Sequence, residues 1–298
     1  MKYRSLGSSD LKISEISFGC MSLGKDQSQN SRLLRSAFER GVNFFDTADL
    51  YDRGENEISV GKALAGIRSK VILASKVGNQ WSKEGSGWNW NPSNTYILKA
   101  IDESLKRLNT DHIDLYQLHG GTMEDPIDET IEAFERLQDQ GKIRYYGISS
   151  IRPNVIREYV NRSNMVSVMM QYSLLDRRPE EQCLDLLYEN GISVLARGSL
   201  AKGLLAGKPP TGYLDHSINQ VDKAAKLLHS MLTDGGFISH LALQFVLAHP
   251  VVASAVVGQR NFSQLEELMQ YVNTPALSDT DFAALRKSIK AHNYQQHR

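Results

Sequence analysis

The chain has 298 residues in which 34 lysines and arginines balance 34 aspartates and glutamates, for a formal net charge of zero. That balance excludes the concentrated basic field that nucleic-acid binding or attachment to a membrane surface requires. No apolar run approaches the length of a bilayer span, and the two cysteines, Cys20 and Cys183, are too few and too distant for a disulfide framework or a zinc site.

The first residues, Met1-Lys2-Tyr3-Arg4-Ser5, lack the apolar core of a signal peptide, so a cytoplasmic protein is expected. Residues 2–16 hold Gly7-Ser8-Ser9-Asp10 between two short alternating runs, a hairpin signal that predicts a plug for the closed bottom of a barrel. A first barrel strand follows at 15–18 and ends in Gly19. The alternation then becomes regular. Helices at 29–40, 55–64, 93–108 and 126–140 precede strands at 42–46, 71–75, 113–118 and 143–148, respectively.

The second half repeats the pattern. A helix opening after Pro153 leads to a strand at 166–170, and a helix at 179–189, stopped by Asn190-Gly191, leads to one at 192–196. Helices at 220–232 and 236–248 precede a strand at 252–257, and helical segments at 263–271 and 279–292 close the chain. Eight strands, each followed by a helix and undivided by any linker, predict one (β/α)8 TIM-barrel domain over residues 1–298, with the N-terminal β-hairpin closing its bottom.

In such barrels chemistry collects at the C-terminal strand ends. Asp46, Tyr51, Lys76 and His119 lie at or just beyond successive strand ends, so the topology converges an acid, a phenol, a lysine and an imidazole on one mouth. A phenol is a weak acid at neutral pH, and an adjacent ammonium favours its ionised form. Lys76, held charged by Asp46, is therefore expected to tune Tyr51 as a general acid. A neutral His119 can bond the same substrate oxygen. None of these groups supplies hydride, so reduction implies a nicotinamide cofactor.

Two loops exceed the usual length and are candidates for function. The stretch 203–219 is one. The other, 78–93, carries Trp81, Trp88 and Trp90, all three tryptophans of the chain, and is expected to form an aromatic wall of a substrate pocket.

Several motifs resemble the aldo-keto reductase superfamily. They are Tyr3-Arg4-Ser5-Leu6-Gly7-Ser8-Ser9-Asp10-Leu11, Phe45-Asp46-Thr47-Ala48 with Tyr51, Ser75-Lys76-Val77-Gly78, Asp114-Leu115-Tyr116-Gln117-Leu118-His119, and Gly141-Lys142-Ile143-Arg144-Tyr145-Tyr146-Gly147-Ile148-Ser149. The resemblance implies a barrel that binds extended NADPH without a Rossmann domain and reduces aldehydes or ketones. It puts Asp46, Tyr51, Lys76 and His119 in the catalytic tetrad.

It also implies cofactor contacts at Gly19, Met21, Ser149, Ser150 and Gln171, the last three near the nicotinamide carboxamide. Ser150 stands where an asparagine is common. Arg197 falls where many members stack an aromatic ring on the nicotinamide; its guanidinium can stack there or reach the pyrophosphate. Gly198, Ser199, Leu200, Lys202 and Gly203 would wrap the pyrophosphate. Gly258, Gln259 and Arg260 precede a helix N-terminus, a natural phosphate site. Gln264 and Glu267 belong to the adenosine side, where Leu268 replaces a frequent asparagine.

The expected function is NADPH-dependent reduction of a small-molecule carbonyl substrate, with no nucleic acid, membrane or obligatory protein partner and no metal. Two alternatives share the fold: an NADPH-binding regulatory protein with slow turnover, and a lyase using Lys76 as a Schiff base.

Overall fold

The computed structural model describes residues 1–82, 87–233 and 235–298. The chain opens with β1 (Tyr3–Ser5) and β2 (Lys12–Ser14), paired antiparallel with Tyr3 opposite Ser14. Then come β3 (Ile16–Gly19), α1 (Gln27–Glu39), β4 (Phe44–Asp46), α2 (Glu55–Leu64) and β5 (Ile72–Val77). A second hairpin, β6 (Asn79–Trp81) and β7 (Trp88–Trp90), precedes α3 (Asn94–Leu108), β8 (Ile113–Leu118), α4 (Ile127–Asp139) and β9 (Ile143–Ser149). The chain continues through α5 (Pro153–Arg162), β10 (Ser167–Gln171), α6 (Cys183–Glu189), β11 (Ser193–Arg197), α7 (Ile218–Ser230) and α8 (Ile238–Leu247). It ends with β12 (Val252–Gly258), α9 (Phe262–Met269) and α10 (Asp279–Ser288).

Eight parallel strands close in the order β10-β11-β12-β3-β4-β5-β8-β9, the TIM barrel expected from the alternation. The helices bury stripes spaced three and four apart. In α3 these are Ile97, Ala100, Ile101, Ser104 and Leu108, and the helix starts at Ser93, whose side chain accepts from the Tyr96 N–H. The first hairpin closes the bottom. Leu6, Leu11 and Ile13 pack with Phe44, Ala74, Leu115, Met169, Leu195 and Ala253 inside the barrel. Gly7 makes that approach possible, because its φ is +55° and a Cβ there would come within 2.2 Å of the Val166 carbonyl oxygen. Among the described residues no helix is long and apolar enough to cross a membrane.

Besides shifts of up to four residues at element ends, such as the last helix stopping at Ser288 where 292 was expected, three elements differ from the periodicity. The strand expected at 42–46 starts at Phe44, because the Asn43 side chain is drawn to the hairpin, accepting from Ser14 N–H (2.8 Å) and donating to Lys12 O (2.8 Å). The helix expected at 179–189 breaks at Gln182 (φ −154°), leaving a tight turn over Arg178–Glu181 ahead of α6. There Arg177 donates to the carbonyls of Arg286 and Ile289, and Arg178 pairs with Asp176, so tertiary anchors override helix continuation. The tryptophan loop is the β6–β7 hairpin, with Asn79 opposite Trp90; residues 83–86 of that loop lie outside the described residues.

Candidate active site

Asp46 ends β4, and β5 runs beyond its expected end to include Lys76. The Lys76 side chain is buried, and its Nζ donates to Asp46 Oδ2 (2.6 Å), Thr47 O (2.8 Å) and Tyr51 Oη (3.3 Å). An ammonium has three donors and no acceptor. All three are therefore used, and the Tyr51 oxygen must accept, which leaves its own proton free for a substrate oxygen. Gln117 Nε2 donates to the other Asp46 oxygen at 3.3 Å. Sequence reasoning missed Gln117, although it stands two residues before His119 and the strand period puts both on the same face.

Tyr51 is carried on a strained turn: Asp52 (φ 47°), Arg53 (φ 56°) and Gly54 (φ 88°) are consecutively left-handed. Gly54 is needed there, since a Cβ would come within 2.8 Å of the Arg107 side chain. His119 follows β8, with its N–H on the Val77 carbonyl at 2.7 Å. Its ring meets the Tyr51 ring edge-on, with centroids 5.7 Å apart.

The electrostatics refine the expected chemistry. Burial raises the Tyr51 phenol above its ordinary range, and the opposing pull of Lys76 does not overcome it. The sequence-based expectation of a lowered Tyr51 is thus corrected: desolvation outweighs the cation, and the phenol keeps its proton throughout the neutral range. Burial alone would lower Lys76, but the Asp46 carboxylate and Tyr51 more than offset it and hold the ammonium charged. Burial pushes Asp46 upward, yet the 2.6 Å contact with Lys76 keeps the pair ionised. His119 is lowered to about 3 by burial and by the charges of Lys76 and Arg197, so the imidazole is neutral at physiological pH.

The remaining strand ends carry the residues expected at a cofactor. Gly19 and Gly258 face each other across β3 and β12, and a Cβ on Gly258 would come within 2.9 Å of Ser22 Oγ, so this part of the mouth is bare backbone. Met21 lies beside it, 65% exposed. Gln259 is buried with neither its amide oxygen nor its amide nitrogen bonded among the described residues. That is a polar demand which a ligand with donors and acceptors would meet. Ser149 and Gln171 end β9 and β10. The Ser150 hydroxyl accepts from Arg152 N–H at 3.2 Å and shapes the turn after β9.

Gln171 is engaged at both amide ends, donating to Asp176 (2.8 Å) and Tyr213 Oη (3.2 Å) and accepting from Arg197 (3.2 Å). After β11 the segment containing Gly198, Ser199 and Leu200 leads to Ala201 (φ 46°), Lys202 (φ 59°) and Gly203 (φ 95°), a left-handed run of the kind that forms anion-binding backbone concavities. Arg260 is exposed ahead of α9. Asn261 caps this helix by accepting from Gln264 N–H at 2.9 Å, and Gln264 Oε1 accepts from Arg260 N–H at 2.8 Å. Glu267 accepts from the Ser239 hydroxyl at 2.6 Å. The glycine floor, the unpaired Gln259 amide and the strained β11 loop together fit an extended nucleotide.

The tryptophans divide. The Trp90 ring covers Gly78 and Gly120, where a Cβ would approach it to 2.6 and 3.0 Å, and its Nε1 donates to Asp125 at 2.8 Å. Trp81 lies under the Arg53 guanidinium, 5.0 Å from the ring centroid, and Trp88 is half exposed.

The aldo/keto reductase family profile matches residues 15–290. "Uncharacterized oxidoreductase YqkF" of Bacillus subtilis is 51% identical, with both chains covered in full. The holo form of aldo-keto reductase AKR11C1 from Bacillus halodurans superposes with a TM-score of 0.94 at 52% identity, over 100% of this chain and 99% of that one. The "NADH-specific methylglyoxal reductase" of Escherichia coli is 29% identical over 98% of this chain and 99% of its own. With Lys76 bonded to Asp46 and Tyr51, and His119 against the Tyr51 ring, at the mouth of a closed barrel, the chain belongs to the aldo/keto reductase family of oxidoreductases.

Proposed function

We propose that the chain is an NADPH-dependent reductase of aldehydes, and of some ketones, working as one barrel domain in the cytoplasm without an obligatory protein partner. The observation that carries this reading is the Lys76 clasp, which forces the Tyr51 oxygen to accept and leaves its proton for the substrate. NADPH, when bound, supplies the hydride. Tyr51 gives its proton to the carbonyl oxygen, His119 as a neutral imidazole orients that oxygen, and Asp46 keeps Lys76 charged and fixed. Disappearance of NADPH absorbance on addition of a panel of aldehydes tests the proposal; no turnover with any of them would favour a regulatory NADPH-binding protein. A Schiff-base lyase is disfavoured because its amine must lose a proton, and Lys76 is held in the charged form by three acceptors.

The E. coli relative is named NADH-specific, so family membership alone does not fix cofactor choice. NADPH differs from NADH by a 2′-phosphate, which calls for a cation and donors. Arg260 offers an exposed guanidinium beside the N-terminus of α9, whose amides favour the same anion. Arg260→Ala is expected to weaken NADPH about ten- to a hundredfold, the value of a charge-assisted hydrogen bond, while NADH affinity barely moves. Parallel losses for both cofactors in a titration would mean that Arg260 supports the loop only.

Aromatic aldehydes should outrun simple ketones, because aldehydes are more electrophilic and the tryptophan hairpin offers flat apolar area. Trp81→Ala and Trp88→Ala should raise KM for a ring aldehyde and leave a short aliphatic one unaffected. Equal effects on both substrates would count against the aromatic wall. Trp90 also holds the hairpin on Gly78 and Gly120, so its removal should lower Tm as well.

A further inference from the structure

Arg197 is one of three half-buried arginines, with Arg152 and Arg157, that make no ion pair among the described residues, and it alone of the three ends a barrel strand. Arg68, Arg107, Arg177 and Arg178 each meet a carboxylate: Asp114, Glu57, Glu180 and Asp176, respectively. Arg197 is half-buried, and the one bond of its guanidinium among the described residues is to the neutral amide oxygen of Gln171, at 3.2 Å. That amide is locked from behind by Asp176 and Tyr213, so the guanidinium is held at the mouth by a partner that cannot neutralise it. The carboxylate that feels its charge is Asp46, which Lys76 already pairs, and a partly desolvated charge without a bonded counter-charge is costly.

The topology says what the charge faces. Asp46, Lys76 and His119 occupy the ends of β4, β5 and β8, three consecutive staves, with Tyr51 on the turn after β4. A hydride donor must lie close to a carbonyl carbon whose oxygen meets Tyr51. The wall left for the donor is the other half of the mouth, which carries Ser149, Gln171, Arg197 and Gly258 at the ends of β9, β10, β11 and β12. Arg197 ends β11 beside Gln171, and its charge is felt by Asp46, Tyr51 and His119.

We propose that Arg197 discriminates between the redox states of the cofactor, disfavouring the cationic oxidised nicotinamide while tolerating the neutral reduced one. This rests on the reading above that the chain binds NADPH. Two like charges a few ångströms apart in a partly desolvated mouth repel strongly enough to change an affinity about tenfold or more. The 2′-phosphate, pyrophosphate and ribose are common to NADPH and NADP⁺, so their contacts cancel in the ratio of the two affinities. The consequence is functional: oxidised cofactor leaves more readily, and the resting enzyme is biased toward the reduced form.

Wild type, Arg197→Met and Arg197→Lys should be titrated with NADPH and with NADP⁺ by calorimetry, after circular dichroism shows each to be folded. The expected result is that Kd for NADP⁺ divided by Kd for NADPH falls about tenfold in Arg197→Met and stays near the wild-type value in Arg197→Lys, which keeps the charge. An unchanged ratio in Arg197→Met overturns the proposal, as does an equal weakening of both cofactors, which would make Arg197 a pyrophosphate ligand. In both of those cases the reductase reading survives. Failure of the wild type to bind either cofactor removes both.

Discussion

Tyr51→Phe is expected to retain NADPH binding and to lose about 10²–10⁴-fold in kcat for carbonyl reduction, the usual contribution of a positioned general acid. Phenylalanine keeps the ring against His119 and removes only the oxygen. Lys76 keeps two of its three acceptors, Asp46 and Thr47 O, so the buried ammonium remains satisfied and the fold should hold. Because burial holds the Tyr51 phenol above its ordinary range, the wild-type reduction rate should be flat through neutral pH and fall only on the alkaline side, where the proton is lost. His119, lowered to about 3, adds no limb above pH ~5. A variant retaining more than about a tenth of wild-type kcat, with chemistry shown to be rate-limiting, would remove Tyr51 from the role of acid.

Lys76→Met should lower both the rate and the stability. Without the cation the Tyr51 phenol loses its main downward pull, so the alkaline limb moves to still higher pH as kcat falls. Asp46 is left buried with Gln117 as its remaining side-chain donor, and breaking one side of a buried ion pair typically costs about 3–5 kcal/mol. The sign with pH follows from burial. The Asp46 carboxyl then titrates well above its unfolded value, so the folded variant holds a proton that the unfolded chain releases. Its stability is fullest at low pH and is lost as pH rises through the folded pKa. Denaturant melts at pH 5 and pH 8 should therefore separate, with the variant weaker at the higher pH. Asp46→Asn should act in the same direction on rate but more mildly, since Lys76 keeps Thr47 O and Tyr51. An unchanged pH–rate profile with near-normal rates in both variants would remove the Asp–Lys pair from the mechanism.

Much of this protein was fixed by local pattern. Strand period and helix period alternate along the chain, and both are set by neighbours a few residues away. The helix Glu55–Leu64 and the strand Ile113–Leu118 were therefore legible to the residue. The convergence of Asp46, Tyr51, Lys76 and His119 was legible for the same reason: once eight strands alternate with helices, closure carries every strand end to one mouth.

What the tertiary structure decided depends on groups far apart in sequence. The start of β4 was set by a hairpin some thirty residues upstream, through the Asn43 bonds to Ser14 and Lys12. The break before α6 was set by Arg177 reaching carbonyls more than a hundred residues away. The direction of the Tyr51 shift could not be read from a nearby lysine, because desolvation by the whole barrel outweighs that one charge. The absence of a bonded carboxylate at Arg197 was equally hidden. Sequence lists the residue, but only the folded chain shows that Arg68, Arg107, Arg177 and Arg178 find carboxylates, while this arginine, at a strand end, bonds a neutral amide locked from behind.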